Sequence, residues 1–142
     1  MDMRIEALVL GVTDVDRAKA FYEQMGFKLD VDHQVGDEFR VVQFTPPGSD
    51  ASIIFGTGVG GSAPGAVEGL YLCVDDIEVA LTELNQRGIQ VNGPFHFGSE
   101  GQTPGLDPHR QKYGSFARFS DPDGNGWLVQ EVDRRPNQLL RQ

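Results

Sequence analysis

Few residues in this 142-residue chain have side chains that could carry chemistry. A histidine, a tyrosine and a carboxylate in the second half, His96, Tyr113 and Glu131, could exchange protons with a bound substrate as general acid or base. The histidines do not form an HxH or HxxxH pair, the spacings that place two imidazoles on one face of a strand or helix. Convergence of His96, His109 and Gln130 on one metal ion is an alternative that their spacing does not support.

The composition argues against several classes of partner. The formal net charge of −9 disfavours nucleic acid and anionic membrane, because both require a basic face. No apolar run approaches the roughly 20 residues of a membrane span. The lone cysteine, Cys73, excludes an intrachain disulfide and is typical of a cytoplasmic chain. We interpret its thiol as buried and inert, because no neighbouring residue in the sequence would activate it.

An internal repeat organises the chain. Residues 5–29 and 67–91 align without a gap, so that Asp14 matches Asp76. Each copy has apolar residues that alternate at period two, then an aspartate as helix N-cap, an amphipathic helix and a glycine at the helix end. Further strand-like segments follow each helix, which gives the order βαβββ twice.

Two other segments are distinctive. Residues 97–112 show no periodicity and contain several glycines and prolines, which favours a lid or binding loop, with a disordered insertion as the alternative. The sequence DPDGN at 121–125 is typical of a tight turn: its proline presets one backbone angle, and its aspartates bond neighbouring amides. We therefore expect the polar residues of this turn to have a structural role.

The tandem βαβββ pattern, the V-T-D and V-D-D strand ends and the DPDGN turn together resemble the vicinal oxygen chelate (VOC) superfamily. This superfamily groups glyoxalase I, the bleomycin-resistance proteins and the extradiol dioxygenases. The resemblance covers residues 4–132, and the ending YGSFARFSDPDGNGWLVQEV is similar to a glyoxalase-like bacterial subgroup. It implies a curved sheet that forms a cup for a ligand.

We predict an α+β fold whose two modules form one curved eight-stranded mixed sheet around this cup. A half-cup of about 55 residues buries too little apolar surface to stand alone. The modules therefore pair within one chain or by exchange across a homodimer. The predicted boundaries are one domain at 4–132, with module one at 4–55, a glycine-rich linker at 56–66 and module two at 67–132, followed by a C-terminal tail at 133–142.

The resemblance also implies where a metal would lie. The enzymes of the superfamily hold one divalent ion with His, Gln or Glu side chains from four strands, and the ion acts as a Lewis acid. The corresponding positions here hold poor donors: Ala7, Ser52, Gly69 and Leu128. We therefore expect no cofactor, and a divalent metal only with non-standard ligands. A one-residue register slip would turn Glu6 and Glu68 inward, but it would also expose the leucines beside them.

The alternation along the predicted strands places mostly small and apolar side chains on the cup face, with a few polar groups. Such a lining suits a small organic molecule. The candidate ligand-binding residues are Tyr71, Cys73, His96, Tyr113, Ser115, Leu128 and Gln130. For Tyr71 and Tyr113, packing in the core or at an interface is the alternative. The alternation leaves open whether Tyr113 and Ser115, or Phe116 and Arg118, face the cup. Arg40 and Arg118 could meet an anionic ligand, but pairing with the many surface acids is the favoured alternative for both.

These observations favour a metal-free small-molecule-binding protein of the bleomycin-resistance type. The alternative is an enzyme, either a glyoxalase-like lyase or isomerase with displaced metal ligands, or an acid–base catalyst that uses His96, Tyr113 or Glu131. A regulatory or assembly module is the third candidate. The sequence leaves open whether the protein is an enzyme.

Overall fold

The structure, a computed structural model, describes residues 1–132, so the predicted tail at 133–142 lies outside the described residues. The elements of the first half are β1 (Ala7–Val9), α1 (Val15–Gln24), β2 (Lys28–Val35), β3 (Phe39–Thr45) and β4 (Ser52–Thr57). Those of the second half are β5 (Leu70–Val74), α2 (Ile77–Gln86), β6 (Asn92–Gly98), β7 (Gly101–Pro104), β8 (Phe116–Ser120) and β9 (Gly126–Glu131). The repeated βαβββ order is confirmed, and the second half adds the short strand β7.

The strands form two mixed sheets. The four-stranded sheet has the order β1-β4-β3-β2, and the five-stranded sheet has the order β5-β9-β8-β6-β7. In each sheet the strand before the helix pairs in parallel with the last strand of its half, β1 with β4 and β5 with β9. The α+β class with tandem modules is confirmed. Residues 1–132 hold nine strands in two sheets, whereas the sequence predicts eight strands in one curved sheet.

The described chain divides into two compact units. The first comprises Met1–Glu68 with Ser120–Gly126, and the second comprises Gly69–Phe119 with the described residues from Trp127 onward. The turn between β8 and β9 therefore belongs to the first unit, although it follows strands of the second. Both helices within residues 1–132 are ten residues long, and neither is long and apolar enough to cross a membrane.

The core of the first unit lies between α1 and one face of the four-stranded sheet. The helix begins where the Asp14 side chain accepts the Arg17 amide at 3.0 Å, as the sequence predicts for a helix N-cap. Tyr22 is fully buried, and its ring centroid lies 6.2 Å from that of Phe44 and 5.7 Å from that of Phe55. Because strand side chains alternate, these contacts leave the other face of the sheet without a helix of this unit.

In the second unit, α2 begins at Asp76, whose side chain accepts the amides of Glu78 and Val79. Ile77 is fully buried, whereas three further apolar residues on the same helical face, Ala80, Leu81 and Leu84, are half-buried. The helix therefore anchors to the sheet most firmly at its first turn.

The turn at 121–125 has the structural role that the sequence predicts. One carboxylate oxygen of Asp121 accepts the amides of Asp123 (3.0 Å) and Asn125 (2.9 Å). The other accepts the Tyr22 hydroxyl at 2.9 Å and the Asn125 side-chain amide at 2.8 Å. Asn125 also donates to the Gly11 carbonyl at 2.9 Å. These bonds tie the turn to α1 and to the segment that follows β1.

Candidate functional site

One face of the five-stranded sheet carries four of the seven predicted ligand-binding residues. Tyr71 on β5 lies beside Leu128 on β9, and Cys73 lies beside Gln130. Alternation along the strands places all four side chains on the same face, which we call the open face. Tyr71 is 57% exposed, and Cys73 is also exposed. The prediction that Cys73 is a buried thiol is therefore wrong, because its strand presents it to this face.

The register of β8 shows which of its residues share the open face. The Glu131 amide donates to the Ser115 carbonyl at 2.9 Å, and antiparallel pairing then places Phe116 beside Gln130 and Arg118 beside Leu128. The sequence leaves open which residues of β8 share this face, and the register shows that they are Phe116 and Arg118.

Strand β6 continues this face and adds an aromatic cluster. Phe95 pairs with Phe116 in the register, and their rings stack with centroids 5.7 Å apart. The ring of Phe97 meets both rings edge-on, at 5.8 Å from Phe95 and 5.3 Å from Phe116. The guanidinium carbon of Arg118 lies 5.1 Å from the Phe95 ring centroid. A cation held above an aromatic ring is a favourable arrangement.

A concavity of about 290 Å³ lies at this cluster. We call it the β6–β8 cavity, and its lining residues are Asn92, Gly93, Pro94, Phe95, Gln102, Pro104 and Arg118. Its volume is close to the lower end of the range for small-molecule sites. The lining combines apolar surface, two neutral amides and one cation.

The cavity lies where β6 departs from regular pairing. The register between β6 and β8 shifts between Asn92 and Phe95, so the chain bulges at Gly93. Gly93 has a φ of 141°, and a Cβ there would lie 2.9 Å from the Cβ of Ala117. Only glycine allows this backbone to approach β8 so closely.

Two predicted ligand-binding residues lie away from the open face. Ser115 is fully buried, and its hydroxyl accepts the Asp107 amide at 2.9 Å. His96 alternates with Phe95 and so points to the opposite side of β6, where its Nδ1 lies 2.8 Å from the Gly105 carbonyl oxygen. Since a carbonyl only accepts, Nδ1 is the donor in this bond. Both side chains bond to their own loop.

The Glu131 side chain is buried and bonded to other residues of the second unit. Glu131 is 6% exposed. Its carboxylate accepts hydrogen bonds from Arg110 Nε at 2.9 Å and from Arg110 Nη2 at 2.5 Å. It also accepts the Ile77 amide at 3.0 Å, at the start of α2. The hydrogen bonds to Glu131 raise the pKa of Arg110 above its ordinary value. A carboxylate held by these three donors is a helix anchor, and it faces away from the open face.

Tyr113 is the exposed member of the three proton-transfer candidates. It has a φ of 66°, and its amide donates to the Glu131 carbonyl at 2.8 Å. Its own carbonyl accepts the Gln130 side-chain amide at 3.1 Å, which places its backbone next to the open face.

Residues 97–112, where the sequence predicts a lid or binding loop, contain a short strand and turns. Gly101–Pro104 is an edge strand that pairs with β6, and two of its residues line the cavity. Beyond it, Arg110 pairs with Glu131 and with Glu78 of α2, so this part is tied to the helix side. The glycines and prolines of the segment lie in and around a short strand. This strand has only four residues, too few to show the period-two alternation that predicts a strand.

The residues at the expected metal positions offer a poor donor set. In the first unit Ala7 pairs with Ser52, whose hydroxyl lies 2.6 Å from that of Thr45. In the second, Gly69 has no side chain and Leu128 offers only carbon. Within residues 1–132, no three His, Cys, Asp or Glu residues group as a metal site. These residues do not fit a catalytic divalent ion.

The cavity residues other than Arg118 were not predicted from the sequence. The alternation in the segment GPFHFG signals that Phe95 and Phe97 share a face, opposite to His96. That alternation cannot tell which of the two faces is open, so the sequence indicates the histidine as the candidate in place of the phenylalanines.

The chain belongs to the Glyoxalase/Bleomycin resistance protein/Dioxygenase superfamily, whose family model matches residues 4–129. It is similar in structure to TnmS3, an antibiotic binding protein from Streptomyces sp. CB03234, with 32% identity, a TM-score of 0.71 and coverage of 92% of this chain and 97% of that chain. A glyoxalase/bleomycin resistance protein from the same organism is also 32% identical, with a TM-score of 0.68 and coverage of 90% and 100%. The uncharacterized protein YetH of Bacillus subtilis (strain 168) is 25% identical over 134 residues, 92% of this chain and all of its own length.

Proposed function

We propose that this protein binds a small organic molecule of antibiotic type on the open face of its second sheet, without a catalytic metal. The observation that carries the proposal is the β6–β8 cavity, whose lining includes the Phe95 ring and one cation, with the rings of Phe97 and Phe116 next to Phe95. Aromatic surface with a few polar groups suits a ligand that is itself an apolar ring system. The protein would sequester or carry this ligand.

The relatives support the same proposal. TnmS3 is an antibiotic binding protein, and the likeness to it extends over nearly the whole of both chains. The four positions where the superfamily's enzymes would hold their ion lack good donors in this chain, which favours binding over metal-assisted turnover.

Metal-independent catalysis has less support. Arg110 and the Ile77 amide engage both carboxylate oxygens of Glu131, and the Gly105 carbonyl engages the Nδ1 of His96, so the fold already uses these atoms. Tyr113 alone would remain near the open face. A homodimer and a cytoplasmic compartment, both expected from the sequence, stay predictions, as do the domain boundaries.

Calorimetric titration with a panel of aromatic antibiotics tests the proposal. We expect saturable binding at one molecule per chain, weakened roughly tenfold in the Phe97→Ala variant because an exposed ring of the cluster is lost. Val79→Ala removes an exposed apolar side chain from α2 and is the matched control, with unchanged affinity. Equal affinity of the Phe97→Ala variant, or conversion of the bound compound to a product, would contradict the proposal.

A further inference from the structure

We propose that the ligand of the β6–β8 cavity is a planar aromatic anion, and that Arg118 binds its negative group. This inference rests on the proposed binding function and specifies the chemical class of its ligand.

The charges around the cavity point to an anion. The chain has 21 acidic residues against 12 lysines and arginines, yet the cavity lining contains one arginine and no carboxylate. Three other arginines, Arg17, Arg40 and Arg110, each form ion pairs with carboxylates. Arg118 forms no salt bridge with any carboxylate in residues 1–132. Its guanidinium is therefore available to a ligand.

The position of Arg118 suits this role. Its guanidinium carbon lies 5.1 Å from the Phe95 ring centroid, and this contact holds the side chain at the cavity wall. A guanidinium is a planar fork of N–H donors that matches a carboxylate or a similar oxyanion through two parallel hydrogen bonds. Asn92, which pairs with Arg118 in the register, and Gln102 add uncharged amides to the wall.

The aromatic cluster accounts for the rest of the ligand. Phe97 is 59% exposed, and its ring stands edge-on to those of Phe95 and Phe116. Such a group contacts a planar ring system by stacking and by edge-to-face packing. The volume of about 290 Å³ accommodates a body of about two fused rings with its charged substituent.

The net charge of the molecule and the local charge of the cavity make opposite predictions. With a net charge of −9, long-range attraction favours a cationic ligand. At physiological ionic strength the Debye length is about 8 Å, so distant carboxylates are screened while a directly contacting guanidinium is not. Arg118 therefore decides the charge preference of the bound ligand.

Three naphthalene compounds of the same shape separate these predictions: naphthoate (anion), naphthamide (neutral) and naphthamidine (cation). In calorimetric titrations of the wild-type protein we expect naphthoate to bind roughly tenfold more tightly than naphthamide, and naphthamidine to bind most weakly. In the Arg118→Gln variant the three affinities should agree within about twofold. Arg4→Gln is the matched control: it removes an exposed arginine that does not line the cavity, and it should keep the wild-type order.

The outcomes distinguish this inference from the proposed function. Equal binding of the three compounds to the wild type, unchanged in Arg118→Gln, would overturn the anion preference and leave the binding function intact. Failure of all three to bind the wild type would overturn both. Retention of naphthamide binding by Arg118→Gln shows that the variant is folded, and Arg118→Lys, which keeps the charge, should keep part of the preference for naphthoate.

Discussion

A hydrogen bond from the Tyr22 hydroxyl connects α1 to the turn at 121–125. The hydroxyl donates to the Asp121 carboxylate at 2.9 Å, and both residues are buried, at 0% and 5% exposure. Replacing Tyr22 with Phe keeps the ring and removes one donor to a buried charge. We expect Tyr22→Phe to lower the free energy of unfolding by about 1–3 kcal/mol in urea denaturation.

Tyr71→Phe is the control for this substitution, because the Tyr71 side chain is exposed on the open face. We expect it to change the free energy of unfolding by less than about 0.5 kcal/mol. Equal effects of the two substitutions would mean that the bond to Asp121 contributes no net stability.

The ion pair between Arg110 and Glu131 is a second prediction at this scale. We expect Glu131→Gln and Arg110→Gln each to destabilise the protein, with a coupling energy of about 1 kcal/mol in a double-mutant cycle, because Arg110 is partly exposed to solvent. Additive effects of the two substitutions would show that Arg110 and Glu131 are not coupled and would contradict a stabilising role for this ion pair.

At the scale of elements, the sequence predicts the repeat well and the open face only in part. The helices and their capping residues Asp14 and Asp76 follow from local periodicity and side-chain chemistry, which are encoded within a few residues. Strand β7 has four residues and a composition typical of turns, so periodicity cannot reveal it. Alternation on β8 offers two faces, and only the pairing with β9 selects Phe116 and Arg118. The Arg110–Glu131 pair joins residues far apart in the chain, beyond the reach of any local pattern.

The bulge of β6 gives an element-scale prediction about glycine. A Cβ at residue 93 would lie 2.9 Å from the Ala117 Cβ, and the φ of 141° is strained for any other residue. We expect Gly93→Ala to lower the unfolding free energy by about 2 kcal/mol or more, measured by chemical denaturation. Gly98→Ala on the same strand is the control: its nearest contact is 3.3 Å to the Thr103 hydroxyl, so its cost should be smaller. Similar costs would show that the close approach at residue 93 is unimportant.

The ion pairs between α1 and the β2–β3 hairpin predict a response to acid. Hydrogen bonds from Arg40, the larger effect, and from Lys19 hold the pKa of Asp32 well below its ordinary value of 3.8. A lowered pKa in the folded state means that this stabilisation is complete above pH 3.8 and is lost as the pH falls below it. We expect Asp32→Asn to cost about 1 kcal/mol at neutral pH and progressively less in acid.

Urea denaturation of the wild type and of Asp32→Asn across this pH range tests the prediction. Asp50→Asn is the control, because it removes an exposed carboxylate from the turn before β4. A stability difference between wild type and Asp32→Asn that stays constant into acid would contradict the assignment.

At the scale of the whole molecule, family membership defines the fold, and the residues of the sites define the function. The superfamily contains metal-dependent enzymes, yet this chain has Ala7, Ser52, Gly69 and Leu128 where their ligands would be expected. Its second sheet presents an aromatic cavity with an arginine at the wall. This combination is the basis for proposing a binding protein that needs no metal.

The most direct test is the affinity of naphthoate for protein freed of metal by a chelator, compared with the same protein after one equivalent of Zn²⁺ or Ni²⁺ is added. In the proposed function the open face binds its ligand through side chains alone, so we predict equal affinities in the two titrations, at one molecule per chain. Binding that appears only after metal is added would contradict the account, because it would place a divalent ion at the centre of the site.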